Sequence, residues 1–243
     1  MKKEFDNYVK AYDLNDYNTQ YKYKHSIRVM KICEALANNM GLNEEDTYII
    51  KTIGLLHDIG RFDQIKFTSS YDDSEFDHAA YGAMILFKEN LIEQFNVDPK
   101  YYDIIEFAIR NHNRYKIEDI NDERKLMFAK LIRDADKIDI FDAYTYLNAY
   151  NITDNLDDVT TEVVIQFKKC EPINIKTMKT RADKLLNTFA FVFDINYNES
   201  LEIINSQGFI DELFNRIEDN ARFREYYEIA KDYIKERLDK NDR

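Results

Sequence analysis

The chain has 243 residues and a formal net charge of −12 at neutral pH, with 34 lysines and arginines against 46 aspartates and glutamates. This acidic balance argues against binding to long DNA or RNA, because neutralising a phosphate backbone requires a basic surface. The length allows one domain with a substantial core, or one domain with an appendage.

Apolar residues recur at helical spacing through most of the chain and predict an all-α fold. The chain contains 5 glycines, 2 prolines and no Ser/Gly/Pro-rich linker, so few residues interrupt its helices. The apolar stripe over residues 27–37 predicts a helix that ends near Gly41. The stripe over residues 49–59 predicts a second helix, which we expect to close at Gly60.

The next predicted helix begins at Asp98 and Pro99, which have the character of an N-cap and a first-turn proline, and it ends near Asn111. A long helix is predicted over residues 126–147. Residues 151–174 are rich in Thr, Asn and Asp, and they predict an irregular segment or a short hairpin. The remaining helices are predicted over residues 177–193, 200–216 and 222–243.

The N-terminus and the cysteines indicate where the protein resides. The N-terminus lacks the apolar run of a signal peptide, and no apolar stretch approaches the ~20 residues needed to span a bilayer. Cys33 and Cys170 lie far apart and lack the spacing of a metal site, so a disulfide framework is not indicated. These features predict a cytoplasmic protein that does not contact a membrane.

The four histidines form an ordered pattern with two aspartates. Imidazole and carboxylate together suit Fe, Mn, Ni or Zn, and several such groups in one pocket can hold two ions. Neighbouring residues on a helix point about 100° apart. His57 and Asp58 can therefore share a site only near a helix end, and Gly60 is placed to provide one. The candidate metal ligands are His25, His57, Asp58, His78, His112 and Asp136.

Helix ends are also expected to carry two of the other histidines. His78 is predicted to open a helix that Asp77 caps, and His112 is predicted to follow the end of another. A side chain at a helix end can lean into a shared pocket. The acidic run over residues 72–77 is otherwise expected to be a solvated loop that adds no ligands.

The order of these residues and the short sequence motifs around them resemble those of the HD-domain superfamily of metal-dependent phosphohydrolases. Residues 24–29 (KHSIRV) resemble its first motif, and residues 55–62 (LLHDIGRF) resemble its HDIG-type second motif. Residues 77–83 (DHAAYGA) resemble the helix start that carries a third ligand, and residues 133–139 resemble the last motif. The resemblance covers residues 20–145.

The resemblance implies a helical HD-domain bundle with additional C-terminal helices. Residues 1–150 would form the phosphohydrolase core, and residues 151–243 would form a helical extension packed on the same domain. Three roles stay open for the extension, namely covering the pocket, shaping the choice of substrate or forming a homodimer contact.

The resemblance also implies one or two divalent ions, with Mn, Fe, Mg, Ni, Co and Zn all open. In the family, the aspartate of the His-Asp pair bridges two ions, and this role falls to Asp58. His25, His57 and Asp136 would complete the first ion site. His78 and His112 would hold the second ion.

The implied function is metal-dependent hydrolysis of a phosphate ester, in a nucleotide or similar small molecule, by attack of a metal-bound hydroxide. Catalytic roles are expected for Asp58, Arg61 and Lys137. Arg28, Arg61 and Arg114 are expected to bind phosphate, because a planar guanidinium fits phosphate oxygens. The sequence leaves open whether the substrate is a monoester or a diester.

Two other functions fit the same residues. A minority of HD-fold proteins bind a mixed-valent di-iron pair with the same ordered ligands and use O₂ as oxygenases. A catalytically silent nucleotide-binding module is the other alternative, although retention of every ligand argues against it.

Overall fold

The computed structural model describes residues 1–73, 75–147 and 156–240, and these ranges contain helices and no β-strand. The predicted all-α class is confirmed. The chain divides into two compact units, Met1–Asp136 and Lys137–Arg243. The predicted domain boundary at residue 150 stays a prediction, since residues 148–155 lie outside the described residues. Among the described helices, none has the length and apolar character needed to cross a membrane.

The first unit is built from six complete helices and the start of a seventh. Helices α2 and α3 pack closely on each other, as do α4 with α5, α5 with α6 and α3 with α6. Aliphatic and aromatic side chains fill the space between them and are fully buried. The helices are α1 Lys2–Val9, α2 Tyr17–Asn39, α3 Glu44–Leu56, α4 Ile59–Thr68, α5 His78–Phe87, α6 Tyr102–Asn111 and α7 Glu123–Tyr144.

Local capping sets several of these helix ends, as the sequence predicted. Helix α2 ends at Asn39, and Gly41 follows with a φ of +65°, a conformation that glycine adopts without a steric penalty. The Asp77 carboxylate accepts from the amides of Ala79 and Ala80 at the start of α5. Asp98 caps a short 3₁₀ turn that leads into α6.

The predicted end of the second apolar helix at Gly60 is wrong. Helix α3 ends at Leu56, and Asp58 has non-helical angles (φ −100°, ψ 18°) before α4 begins at Ile59. Gly60 therefore lies in the first turn of α4. A Cβ at this position would lie 2.2 Å from the His78 carbonyl oxygen, so the missing side chain serves the close approach of α4 to α5.

In the second unit, residues 151–174 were predicted to be an irregular segment or a short hairpin. Their described part contains no hairpin: residues 161–168 are helical, and residues 156–160 and 169–174 on either side are irregular. Val163 and Phe167 lie one helical turn apart and are both buried, which is the spacing of a helix face. Residues 151–155 lie outside the described part of the chain. The helices of this unit are α8 Thr161–Lys168, α9 Arg181–Ala190, α10 Asn198–Ser206, α11 Phe209–Asn215 and α12 Arg224–Asp239.

The single helix predicted over residues 200–216 is two helices in the structure. Gly208, with a φ of +66°, separates α10 from α11. The helices predicted over residues 177–193 and 222–243 correspond to α9 and α12, and residues 241–243 lie outside the described residues. An aromatic cluster packs this unit, with the Phe167 and Phe193 ring centroids 4.9 Å apart.

We expect Gly60→Ala to lower the free energy of unfolding by about 3 kcal/mol, because the new methyl group meets backbone atoms that cannot rotate away. Urea unfolding of the metal-free protein, followed by circular dichroism, measures the loss. Gly41→Ala is the control, since a Cβ there has nothing within 4 Å and costs only the positive φ, about 1 kcal/mol. Equal losses in the two variants would show that the α4–α5 contact does not need glycine.

Candidate metal centre

The six predicted metal ligands all belong to the first unit, and the structure brings them together. The four histidines are buried, with at most 4% of their surface exposed. The ligands come from five places in the fold: His25 from α2, His57 and Asp58 from the break between α3 and α4, His78 from the start of α5, His112 from the end of α6 and Asp136 from α7.

One set of ligand atoms surrounds His25. Its Nε2 lies 3.3 Å from His57 Nε2 and 3.2 Å from Asp136 Oδ1. The Asp58 carboxylate faces these atoms, with Oδ2 lying 3.4 Å from His25 Nε2 and 3.7 Å from His57 Nε2. We call His25, His57 and Asp136 the first ligand set.

A second set faces the other oxygen of Asp58. His78 Nε2 lies 3.0 Å from His112 Nε2 and 3.1 Å from Asp58 Oδ1. His112 Nε2 lies 3.5 Å from the same oxygen. We call His78 and His112 the second ligand set. Asp58 thus presents one carboxylate oxygen to each set, which is the arrangement that a bridging ligand needs.

The spacing of these atoms allows metal binding in two overlapping groups. The ligand atoms of His25, His57 and Asp136 lie within 4.8 Å of one another, and so do those of His57, Asp58 and His112. His57 belongs to both groups, so it lies at the centre of the cluster. The sequence assigned His57 to the first ion alone, and that assignment stays a prediction.

Two histidine rings are fixed by backbone carbonyls of their own helix ends. His57 Nδ1 lies 2.8 Å from the Gly54 carbonyl oxygen, and His112 Nδ1 lies 2.7 Å from that of Ile109. A carbonyl can only accept, so Nδ1 carries the proton and donates. In the neutral form of such a ring, Nε2 has a lone pair, which here is directed into the cluster.

The protonation states suit a cation. Burial lowers the pKa of His57 to about 3, so this ring is neutral at neutral pH, as a metal ligand must be. Burial would raise the pKa of Asp58, but opposing interactions, of which the charge of Lys22 is the largest, hold that pKa well below its usual value. Burial would likewise raise the pKa of Asp136, but the interaction with His25 opposes burial most strongly and that pKa is lowered. Asp58 and Asp136 therefore stay ionised beside the neutral ring of His57.

A bound divalent ion fits this donor set. In their neutral forms, with the proton on Nδ1, His78 and His112 direct lone pairs at each other across 3.0 Å, and these repel unless a proton or a cation lies between them. Buried carboxylates also need a partner charge, because desolvation of an isolated carboxylate is costly. Imidazole nitrogen and carboxylate oxygen suit several first-row ions, so the donors do not identify the metal.

Lys22 is a site residue that the sequence reasoning missed. Its Nζ lies 2.6 Å from Asp58 Oδ2, and its side chain is 13% exposed. Lys22 precedes His25 by three residues on α2, which places both on one helix face. The spacing from His25 was the one feature of the sequence that pointed to Lys22. The residue type did not help, because the chain contains many other lysines.

Arg61, predicted to bind phosphate, is engaged with Asp73. Its Nη1 and Nη2 lie 2.7 Å and 3.0 Å from the two Asp73 oxygens, and Nη1 also donates to the Tyr71 carbonyl. Its buried Nε lies 3.7 Å from Asp58 Oδ1 and has no hydrogen-bond partner among the described residues. One donor of the guanidinium thus remains directed towards the cluster.

Asp73 departs from the expectation of a solvated acidic loop. Its Oδ1 lies 2.7 Å from Nδ1 of His78 and accepts a hydrogen bond from it. Burial opposes ionisation of Asp73, but the bond from His78 and the charge of Arg61 outweigh it, so its pKa is lowered. Asp77 is also engaged, as the cap of α5. The loop therefore supports the cluster, although it adds no ligand to it.

The other predicted cations have partners outside the six-residue cluster. The Arg28 guanidinium lies 5.5 Å from the ring of Tyr21, which stacks on His25. Arg114 pairs with Glu118 at 2.8 Å, and Lys137, in the second unit, pairs with Asp194 at 2.7 Å. The catalytic and phosphate-binding roles of these residues stay predictions.

Arg133, within the last motif, holds the segment that carries His112. Its buried guanidinium donates to the carbonyls of Asn111 and His112, at 3.2 Å and 3.4 Å, and to that of Arg114. A cation at these carbonyls complements the negative end of the α6 dipole. Arg133 precedes Asp136 by three residues on α7, so one helix face both supplies a ligand and fixes another.

Comparison with known proteins gives one match. A family model described as the HD domain matches residues 23–143, about half of the chain, and this range contains all six candidate ligands. No curated protein and no solved structure matches the chain.

Metal binding should stabilise the fold, because ions would relieve the repulsion within the cluster. With Mn²⁺ at 100 times its Kd, the free energy of unfolding should rise by about 2.7 kcal/mol, and the midpoint of thermal unfolding by about 5–10 °C. A melting experiment with and without Mn²⁺, after treatment with a chelator, measures this shift.

Asp136→Asn should lose most of the shift, whereas Asp119→Asn should keep it. Asp119 is the matched control because its side chain is 95% exposed and lies outside the cluster. An equal Mn²⁺ shift in both variants would contradict the assignment of Asp136 as a ligand.

Proposed function

The chain belongs to the HD-domain superfamily, and we propose that it is a metal-dependent phosphohydrolase acting on a phosphate ester of a nucleotide or similar small molecule. The observation that supports this most directly is Asp58, whose two oxygens face separate sets of imidazoles. Superfamily membership indicates a metal-dependent hydrolase, and the phosphate ester is the part that we add.

The ligands divide into two sites that share Asp58. His25, His57 and Asp136 would hold one ion with Asp58, and His78 and His112 would hold a second with it. When bound, divalent ions supply Lewis acidity, which lowers the pKa of water and neutralises charge on phosphoryl oxygens.

The chain's own residues contribute orientation and exclusion of water. Hydrogen bonds donated by Nδ1 fix the rings of His57, His78 and His112, so their Nε2 atoms need no reorientation. The burial of Asp58 and of the histidines keeps the electrostatic interactions of the cluster strong, because less water screens them.

Two cationic groups next to Asp58 would bind the substrate phosphate. The Lys22 ammonium lies 2.6 Å from Asp58 Oδ2 and has three N–H donors, so it can also donate a hydrogen bond to a phosphate oxygen. Arg61 can donate its unpartnered Nε–H to a second oxygen, while its Nη atoms stay on Asp73. Arg28 and Arg114 remain proposed outer contacts. Lys137 has the weakest support, since Asp194 engages its ammonium.

The charge of the chain favours a small substrate. A net charge of −12 repels a long nucleic acid, whereas bound ions with Lys22 and Arg61 would create a local positive region for one phosphate group. A small phosphorylated molecule, in particular a nucleotide, is therefore the proposed partner.

A mixed-valent di-iron oxygenase is the second candidate, because the same six side chains would hold a pair of iron ions. This function would be indicated by coloured, iron-loaded protein that gives a mixed-valent electron paramagnetic resonance signal. The third alternative, a silent nucleotide-binding module, would bind nucleotide without turnover.

The direct test is phosphate release from a panel of nucleotides and generic phosphate esters with Mn²⁺ present. We expect release by the wild type, and a loss of about a thousandfold in Asp58→Asn, which corresponds to about 4 kcal/mol of lost transition-state stabilisation. The amide keeps the shape of the carboxylate and removes its charge.

The outcomes separate the three functions. Absence of release with every divalent ion, together with the mixed-valent iron signal, would replace the hydrolase with the oxygenase. Absence of release together with tight nucleotide binding would favour the silent module. Equal release by the wild type and Asp58→Asn would reject Asp58 as the centre of the reaction.

Lys22→Gln should lower kcat/KM about 10- to 100-fold, the cost of one hydrogen bond to a charged group. Its Mn²⁺ affinity should not weaken, because removing the ammonium frees Asp58 Oδ2 for a cation. Steady-state kinetics and calorimetric Mn²⁺ titration measure the two effects. Lys22→Arg should restore part of the activity.

Lys24→Gln provides the control for the loss of charge, because Lys24 lies on the same helix with an exposed side chain that contacts Gln20. Its kinetics should match the wild type. A Lys22→Gln protein with reduced Mn²⁺ affinity and unchanged kcat/KM at saturating Mn²⁺ would contradict the phosphate-binding role.

A further inference from the structure

We propose that Asp73 is a positioning residue for the second ligand set, and that Arg61 fixes it in that role. The Asp73 carboxylate holds the His78 ring with Nε2 directed at Asp58 and His112. The inference rests on the proposed function insofar as both require the chain to bind metal.

The need for Asp73 follows from where His78 lies in its helix. His57 and His112 follow the ends of α3 and α6, so each finds a carbonyl three residues earlier in its own helix to accept from Nδ1. His78 is the first residue of α5, and no turn of α5 precedes it. Its Nδ1–H therefore needs an acceptor from elsewhere, and Asp73, on the loop between α4 and α5, supplies it at 2.7 Å.

Asp73 is itself held from two directions on α4. Arg61 makes a two-point contact with its carboxylate, a geometry that fixes the plane of the group. Gln64, three residues further along α4 and fully buried, donates through Nε2 towards Asp73 Oδ1 at 3.2 Å and the Asp72 carbonyl at 2.8 Å. Gln64 also reaches the Phe76 carbonyl, so both sides of Asp73 are tied to α4.

This support is selective for one ligand set. The contacts of Asp73 reach His78, whereas His57 and His112 are oriented by carbonyls and Asp136 by its position on α7. A carboxylate on the remote nitrogen also makes an imidazole more electron-rich, which strengthens its bond to a metal. Loss of Asp73 should therefore weaken the ion at His78 and leave the ion at His25 in place.

Calorimetric titration of chelator-treated protein with Mn²⁺ tests the inference without reference to turnover. The wild type should bind two ions, and Asp73→Ala should weaken one of them by about 10- to 100-fold while the other keeps its affinity. Asp73→Asn should give a smaller loss, because its amide oxygen still accepts from His78 but carries no charge. Electron paramagnetic resonance should show a coupled Mn²⁺ pair in the wild type and a single ion in Asp73→Ala at limiting Mn²⁺.

Arg61→Gln tests whether Arg61 acts through Asp73. It should weaken the same ion, and the double variant Arg61→Gln/Asp73→Ala should bind Mn²⁺ no more weakly than Asp73→Ala alone. Glu75→Gln is the matched control, since it removes one carboxylate from an exposed position of the same loop and should bind both ions as the wild type does. Thermal unfolding of each metal-free variant verifies that it is folded.

Three results would overturn the inference: unchanged binding of both ions by Asp73→Ala, equal weakening of both, or a wild type that binds fewer than two. Should Asp73→Ala fail to fold, the comparison of Asp73→Asn with Glu75→Gln decides. The proposed hydrolysis is rejected by a different result, namely a wild type that binds two Mn²⁺ ions but releases no phosphate. In that case, selective weakening of one ion in Asp73→Ala would still support the positioning role of Asp73.

Discussion

The burial of one carboxylate between two groups of histidines imposes the main constraint on the first unit. Asp58 must direct one oxygen towards His25 and the other towards His78, while its neighbour His57 turns into the same cluster. Consecutive residues of a helix diverge by about 100° and cannot do this. The chain meets the requirement by ending α3 at Leu56 and starting α4 at Ile59, so that His57 and Asp58 occupy the break. The break between α3 and α4 therefore allows the side chains of His57 and Asp58 to point into the same cluster.

The same constraint explains where α5 lies. His78 reaches Asp58 Oδ1 only if the start of α5 lies against the start of α4, and Gly60 permits that approach because its missing side chain leaves room for the His78 carbonyl. The charges then need balance at short range. Lys22 lies on one oxygen of Asp58, and the Nε of Arg61 lies near the other. Lys22 provides the largest interaction that keeps this carboxylate ionised inside the fold.

Much of this arrangement was predictable from the sequence, because it depends on residue type and local spacing. Few breakers and regular apolar stripes indicated helices, and the rarity of histidine singled out the ligands that the fold brings together. The Asp77 cap was equally local. Gly60 was misread because a glycine for close packing and a glycine for a helix end look alike in a sequence. Lys22 and Asp73 depend on contacts across 36 and 5 residues, and neither differs in kind from the many other charged residues of an acidic chain.

The anchoring of the rings makes the two ligand sets unequal. A histidine just past a helix end has a carbonyl within reach in its own last turn, so its orientation is fixed as soon as the helix forms. A histidine that opens a helix has no such carbonyl and depends on tertiary structure for its acceptor. His57 in the first set and His112 in the second are thus both locally determined, but the second set is complete only when the loop after α4 has placed Asp73. Because Arg61 holds Asp73 and also approaches Asp58, α4 links the Asp58 carboxylate to the His78 ring, which depends on the loop. An ion bound at the second set would accordingly be held more weakly than one at the first, since its site carries the added cost of ordering that loop.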